Sequence, residues 1–466
     1  MHTDFLSLFS LLSLARGWVP ALSVTGLLVF GLVACERPFI EETGPEFIVL
    51  EPNIEAVLVE REVRVRIEVE NPQETDSVHL NGLAMDVESK PGIYGMTVRL
   101  NRGVNNLLIE AFGRNNTVRF DSLQPIFVPG YTDAAPLRLP EPRGGHTTTV
   151  LLGGDLLIAG GASLPTASAY NDALRFSRVS LSDRPRRITT LLPRLEHTAT
   201  RLPNGRVLFI GGSTVSEPTL VEQLVETVEI YFPNNDSTAI VPVGGDPIRR
   251  SGHTAILFPV RDNGTILLYI YLYGGFGDTR YRPASKMGIR SDIRVFRFRN
   301  DSLVAAGPTI GPFIDAIADH TVTPIQPVIG SEAEFLFGGS FFASEDLFDT
   351  VVFESSFRVG QGIFNETIDP MSTARSGHAA ERLVDGEILI FGGRTFGPTT
   401  AKASVEAYFS RVKRFYPFPS DLLMLQPRWG HTATNWDHDR ILIVGGFGHA
   451  GAGLTTSEWF GVGKPK

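Results

Sequence analysis

Nearly the same phrase returns six times along the chain, about once every fifty residues. It reads "RGGHTTTVLLGGDLLIAGG" from Arg143, "RLEHTATRLPNGRVLFIGG" from Arg194 and "RSGHTAILFPVRDNGTILLYIYLYGG" from Arg250. It continues as "IADHTVTPIQPVIGSEAEFLFGG" from Ile317, "RSGHAAERLVDGEILIFGG" from Arg375 and "RWGHTATNWDHDRILIVGG" from Arg428. Repetition at this period means that one small unit, unable to bury its own faces, is stacked against copies of itself.

Each copy parses into strands. The run after the histidine alternates, "NG", "DG" or "GG" turns the chain, and a short apolar run such as "ILIF" reads as a strand buried on both faces. The glycine pair then ends that strand where the backbone must bend close to a neighbour. From the histidine to the first glycine of the pair the spacing is 14 in four copies, 21 in the third and 18 in the fourth. The slack is expected in the turn between the two strands. A third strand follows each time: "DALRF", "VEIYF", "DIRVF", "DTVVF", "VEAYF" and "SEWF". Each has one acid (Asp172, Glu229, Asp292, Asp349, Glu406, Glu458) two or four residues before an aromatic, and so on the aromatic's face.

These residues resemble the Kelch motif over about 330 residues. The resemblance implies an all-β fold and a six-bladed Kelch-type β-propeller over 130–466, which is expected to follow a small immunoglobulin-like β-sandwich read from the preceding residues. The last copy stops too early for a fourth strand, and "TDAAPLRLPEP", just before the first copy, is expected to pair beside "SEWF" and close the ring.

Composition fits this class and narrows the partners. The 466 residues are 42% hydrophobic and 20% charged, with 47 glycines and 31 prolines spread along the chain, as expected for many short strands and tight turns. A net charge of −9 provides no global field for nucleic acid, so no nucleic-acid partner is expected. The single cysteine, Cys35, excludes a disulfide framework or a cysteine zinc cluster. It follows an apolar run, Gly17 to Ala34, which resembles a bacterial lipoprotein signal. That resemblance implies a signal peptide over 1–34, a lipidated Cys35, a tether over 35–46 and an extracytoplasmic place in the cell envelope. An uncleaved membrane anchor is the other reading of the same run.

Residues 47–128 read as the sandwich. In "REVRVRIEVE" Val63, Val65, Ile67 and Val69 alternate with charge. Asn81-Gly82 signals a hairpin, and "GMTVRLNRGVNNLLIEAFG" gives another pair of strands around a Gly103 turn. The segment weakly resembles immunoglobulin-like modules that accompany surface or sugar-active domains.

Candidate chemistry centres on the repeat. His146, His197, His253, His320, His378 and His431 share one position, and a residue that recurs in every copy performs one structural task, in the core or by hydrogen bonding. No metal site is assigned to them, nor to "WDHD" at Trp436–Asp439 in a turn. Arg143, Arg194, Arg250, Arg375 and Arg428 share another position, which Ile317 breaks. Either each pairs with a third-strand acid, or together they line one rim of the channel. The Kelch resemblance implies the second role, with the residues after the glycine pair beside them: Ala162, Ser213, Phe276, Ser340, Arg394 and Phe447. The third copy also carries "FGDTRYRPASKMGIR", whose Arg280, Tyr281, Arg282, Lys286 and Arg290 suit a carboxylate-bearing partner, an acidic glycan or envelope protein. The alternative for this segment is a solvated loop.

No GxSxG elbow, HExxH helix or phosphate loop is present. Galactose oxidase chemistry needs a cysteine crosslinked to tyrosine, and Cys35 lies in the signal, so that activity and any cofactor are not expected. A mutarotase-like epimerase or a lyase remains the enzyme alternative, and a structural envelope subunit a third. A mouth carboxylate or histidine left unpaired and with a perturbed pKa would mark the enzyme, whereas a rim of arginines and aromatics alone would mark the binder.

Overall fold

The structure is a computed structural model. It describes residues 44–53, 57–165, 167–190, 192–214, 224–277, 288–307, 317–325, 332–338, 352–358, 362–395, 401–420, 422–437 and 440–462. Cys35, Arg280, Tyr281, Arg282, Lys286 and Ser340 therefore lie outside the described residues.

Among the described residues the repeat region forms six antiparallel sheets of four or five strands. In chain order they are numbered blades 1 to 6, and their innermost strands are Thr147–Val150, Thr198–Arg201, Thr254–Asp262, Thr321–Pro324, Ala379–Arg382 and Thr432–Asp437. Each inner strand contacts the next, and the sixth contacts the first, so the ring closes. The second strands Leu156–Ala159, Val207–Ile210 and Ile388–Phe391 are buried at every residue, as apolar runs covered on both faces must be.

Blade 6 takes its outermost strand from upstream of the repeats. Gly130–Arg138 pairs antiparallel with Thr456–Val462, with Ala134 opposite Glu458, where "TDAAPLRLPEP" was expected to lie. Two expectations change. Blade 3 spends its extra residues on length: Thr254–Asp262 and Thr265–Tyr273 have nine residues each, while Asn263-Gly264, both at positive φ, keep a two-residue turn. That blade also gains a fifth strand, Val243–Gly244, parallel to Ser302–Ala305.

Upstream, two four-stranded sheets pack over one core that includes Val65, Ile67, Val78, Leu80, Ile109 and Ala111. Asn81 and Gly82, at φ 50° and 77°, turn the expected hairpin. The strands either side of Gly103 are not a hairpin. Ile93–Arg99 pairs with Glu62–Val69, whereas Leu107–Gly113 pairs with Thr75–Leu80 in the other sheet, so the Gly103 segment crosses between sheets. The sandwich packs directly on the propeller. Val57, Ile126 and Val128 share a core with Phe409, Phe418, Leu422 and Phe460 of blades 5 and 6, and Arg102 reaches Asp385 at 2.8 Å.

Candidate ligand-binding mouth

At the face where the repeat histidines and glycine pairs lie, the blades are stitched by backbone. The residue before each repeat histidine donates its N–H to the carbonyl of its counterpart one blade back: Glu196 to Gly145, Gly252 to Glu196, Asp319 to Gly252, Gly377 to Asp319, Gly430 to Gly377 and Gly145 to Gly430. The six bonds, 2.7–2.9 Å long, form a closed circle around the channel. All six residues have positive φ, between 53° and 67°, which explains four glycines and makes Glu196 and Asp319 the two side-chain-bearing exceptions. A second set of ties runs from the latter glycine of five of the pairs, those that lie among the described residues. Gly161 donates to the Arg194 carbonyl, Gly212 to Arg250, Gly275 to Ile317, Gly393 to Arg428 and Gly446 to Arg143, each in the next blade. A Cβ on Gly160, the first glycine of that pair in blade 1, would stand 2.1 Å from the Arg194 carbonyl oxygen.

The five repeat arginines do not form an exposed rim. Arg143, Arg194, Arg250, Arg375 and Arg428 are each at most 3% exposed. Each sends one nitrogen to the carbonyl of the first glycine of its own blade's pair, at 2.6–3.1 Å. Each also pairs with its own third-strand acid: Arg143 with Asp172 at 3.0 Å, Arg194 with Glu229 at 2.5 Å, Arg250 with Asp292 at 2.6 Å, Arg375 with Glu406, and Arg428 with Glu458 at 2.6 Å. Of the two roles open in the sequence, the geometry is that of the internal ion pair, because a guanidinium this deep must be neutralised. Burial pushes Arg250 down to about 10, which leaves it charged at neutral pH.

The residues after the glycine pair also turn inward. Phe276 and Phe447 are 2% and 0% exposed. Phe447 stacks on Trp429 at 4.6 Å between centroids, and a Cβ on Gly144 would lie 2.5 Å from its ring. Phe447 therefore fills a blade seam and is not a ligand-facing aromatic. Arg394 is the intermediate case. Its guanidinium lies 3.9 Å over Trp429 and 3.5 Å from the Asp319 carboxylate, with 11% of the side chain exposed.

The histidines make a third circle. The threonine after one histidine meets Nε2 of the next blade's histidine: Thr147 with His197 at 3.0 Å, Thr198 with His253 at 3.4 Å, Thr254 with His320 at 3.0 Å, Thr321 with His378 at 2.8 Å and Thr432 with His146 at 3.3 Å. Blade 5 has Ala379 there, and His431 Nε2 is buried without a hydrogen bond. Burial, together with the neighbouring arginine charges, pushes His146, His253 and His378 down to about 3, and burial alone does so for His320. His197 and His431 are also held well below the usual imidazole range by burial first and arginine charge second.

Sequence reasoning missed Glu381. It lies on the inner strand of blade 5, three residues after the histidine, where the other blades have Thr149, Thr200, Ile256, Thr323 and Thr434. Burial pushes its carboxyl up to about 7, against a lowering hydrogen bond from the Asn435 backbone. The signal was available in the aligned repeats, where "HAAER" breaks the "HTxT" pattern twice.

The blade architecture has counterparts among solved structures. "Structure of YjhT" matches with a TM-score of 0.50 and 15% identity, over 69% of this chain and 96% of that one. The fold is a β-propeller. A fungal alcohol oxidase in complex with copper matches with a TM-score of 0.44 and 13% identity, over 90% of this chain and 76% of that one. No protein-family model and no curated protein sequence matches the chain.

Proposed function

We propose that this β-propeller is an envelope-anchored binding protein that takes an acidic glycan or an acidic protein segment at the face carrying the backbone circle. The observation that best supports this reading is the short ladder at the base of the blade 3 connection. Phe276 pairs with Ile289 and Gly277 with Gly288, so the segment containing Arg280, Tyr281, Arg282 and Lys286 leaves and re-enters the fold at that face. Because the repeat arginines are consumed inside the blades, this segment and Arg394 are the charge on which the reading rests. Guanidinium groups match carboxylates in a two-pronged geometry.

The test is charge reversal. Arg280→Glu together with Arg282→Glu is expected to weaken binding of a carboxylate-bearing glycan such as polyglucuronate by tenfold or more, with unfolding curves unchanged. Unaltered affinity, measured by titration calorimetry, would discard this site. The anchoring half of the proposal rests on Cys35 and is tested separately: Cys35→Ser should move the protein from the membrane fraction to the soluble fraction. If it stays with membranes, an uncleaved apolar segment holds it instead.

A further inference from the structure

The sandwich and the propeller do not close fully on one another, and a cleft of about 190 Å³ remains between them. One wall is the segment that crosses between the two sandwich sheets, at Arg102 to Val104, and the other is formed by two turns of blade 5. The first of these, Asp385-Gly386-Glu387, joins the inner strand to the second, and Ser410-Arg411 follows the third strand, which ends at Phe409. Gly103 helps keep the space open: at φ 88° it brings no side chain, and a Cβ there would meet nothing within 4 Å. The floor holds an unserved acceptor. Glu387 is only 7% exposed, yet its Oε2 accepts no hydrogen bond. Arg102 Nη2 stands 3.6 Å from that oxygen, beyond hydrogen-bond reach, while Nη1 of the same guanidinium is held by Asp385 at 2.8 Å. A carboxylate oxygen at this depth ordinarily has a donor. Arg411, exposed where the cleft meets solvent, makes no ion pair among the described residues.

The walls set the class of guest. Two guanidinium groups and two carboxylates line the cleft and leave it no net charge, so neither a free anion nor a free cation is favoured there. Donors and acceptors stand side by side, and a hydroxyl group serves both, giving its proton to a carboxylate and accepting one from a guanidinium. Phe409 and Val104 add an apolar patch to the same lining. A molecule with hydroxyls on its rim and C–H bonds on its face matches such walls. The volume equals about six waters at about 30 Å³ each, which is room for one sugar ring and not for a longer chain. We propose that this cleft binds one neutral hexose, with a sugar hydroxyl donating to Glu387 Oε2 and others accepting from Arg102 and Arg411. Because both modules supply walls, the bound sugar ties the sandwich to blade 5 and stabilises their contact. The site is independent of the acidic ligand proposed at the mouth.

The experiment titrates the full chain with D-glucose, D-galactose and D-mannose in separate runs, read by saturation-transfer NMR. At least one of the three is expected to bind saturably in the millimolar range. Glu387→Met removes the buried acceptor at similar size and should weaken that binding by about tenfold or more, the effect of losing a hydrogen bond to a charged group. Ser410→Trp fills the cleft from its partly exposed side without touching the floor, and should abolish binding even if the Glu387 variant does not fold. Arg280→Glu with Arg282→Glu, which tests the mouth, should leave hexose binding unchanged, so the two sites fail or stand separately. The proposal is overturned by a wild type that binds none of the three sugars, by affinity kept in either folded cleft variant, or by affinity lost in the mouth variant.

Discussion

Lowering the pH from 7 to 4.5 is expected to unfold the propeller in one steep transition, before most of its carboxylates protonate. The cause is the histidine circle. An imidazole in the unfolded chain takes up a proton near its ordinary value of 6.5, whereas His146, His253, His320 and His378 in the folded ring do so only at about 3. A base whose folded pKa is depressed contributes no penalty above 6.5, and the penalty grows as pH falls from 6.5 toward 3, because only the unfolded state binds the proton. Two pH units below 6.5, each histidine costs about 2.7 kcal/mol, and four together cost about 11 kcal/mol. His197 and His431, shifted the same way, add to this. The whole stability of a typical domain is only about 5–15 kcal/mol. Glu381 works in the opposite sense. Its folded pKa of about 7 lies above the ordinary 4.5, so the folded state gains about 3 kcal/mol as pH falls through that window, which offsets roughly one histidine. Asp236, whose pKa burial raises but hydrogen bonds from Tyr231 and Arg175 bring below its ordinary value, loses its contribution only at lower pH. Urea unfolding at a series of pH values checks this. The free energy of unfolding should fall below pH 6.5 with a slope approaching five protons, six histidines less Glu381, or about 7 kcal/mol per pH unit. A flat profile between pH 6.5 and 4.5 would show that the imidazoles are not held neutral.

The ring was readable in the sequence because its parts repeat. One alignment on the histidine gave the inner strand, the doubly buried second strand, the glycine pair and the third-strand acid. The shortfall after Phe460 then pointed to "TDAAPLRLPEP" as the closing strand, and the strand that pairs there is Gly130–Arg138. What could not be read is whatever depends on contacts between distant residues. Val57, Ile126 and Val128 look like ordinary sandwich residues, and nothing local says that they pack against Phe418 and Phe460. The seven extra residues of blade 3 were expected in its turn, although "TAILFPVRD" and "TILLYIYLY" are rich in β-branched and aromatic residues and simply extend the ladder. Ala379 and Glu381 were visible as departures from the pattern. Their meaning required knowing that the first and third positions after the histidine, which share one face of the inner strand, are turned toward the next blade, and a period-2 strand read alone does not say which face is which.

Removing one arginine of the repeat is expected to cost stability, not ligand affinity, and blade 5 is where this is best measured. Arg375 is fully buried, donates to the carbonyls of Gly392 at 2.8 Å and Ser404 at 3.2 Å, and pairs with Glu406, which also accepts the Ser372 N–H at 2.8 Å. Arg375→Met leaves the Glu406 carboxylate, 0% exposed, without its counter-charge. Breaking a buried pair in this way costs about 3–5 kcal/mol, most of it the desolvated charge left behind. Replacing both partners, Arg375→Met with Glu406→Met, removes that orphan and should recover a large part of the loss, although the carbonyls of Gly392 and Ser404 remain unserved. The double-mutant cycle, read by urea unfolding, should therefore give a coupling energy of about 2 kcal/mol or more. A mouth arginine would behave otherwise: its single variant would unfold like the wild type and lose binding, with no coupling to Glu406. The same contrast should hold for Arg194 with Glu229 and Arg428 with Glu458, whose geometry repeats that of Arg375. Five such pairs, one in every blade but the fourth among the described residues, put the charge of the repeat into holding the third strand to the glycine pair, where an uncharged side chain of the same reach could not serve both the carbonyl and the acid.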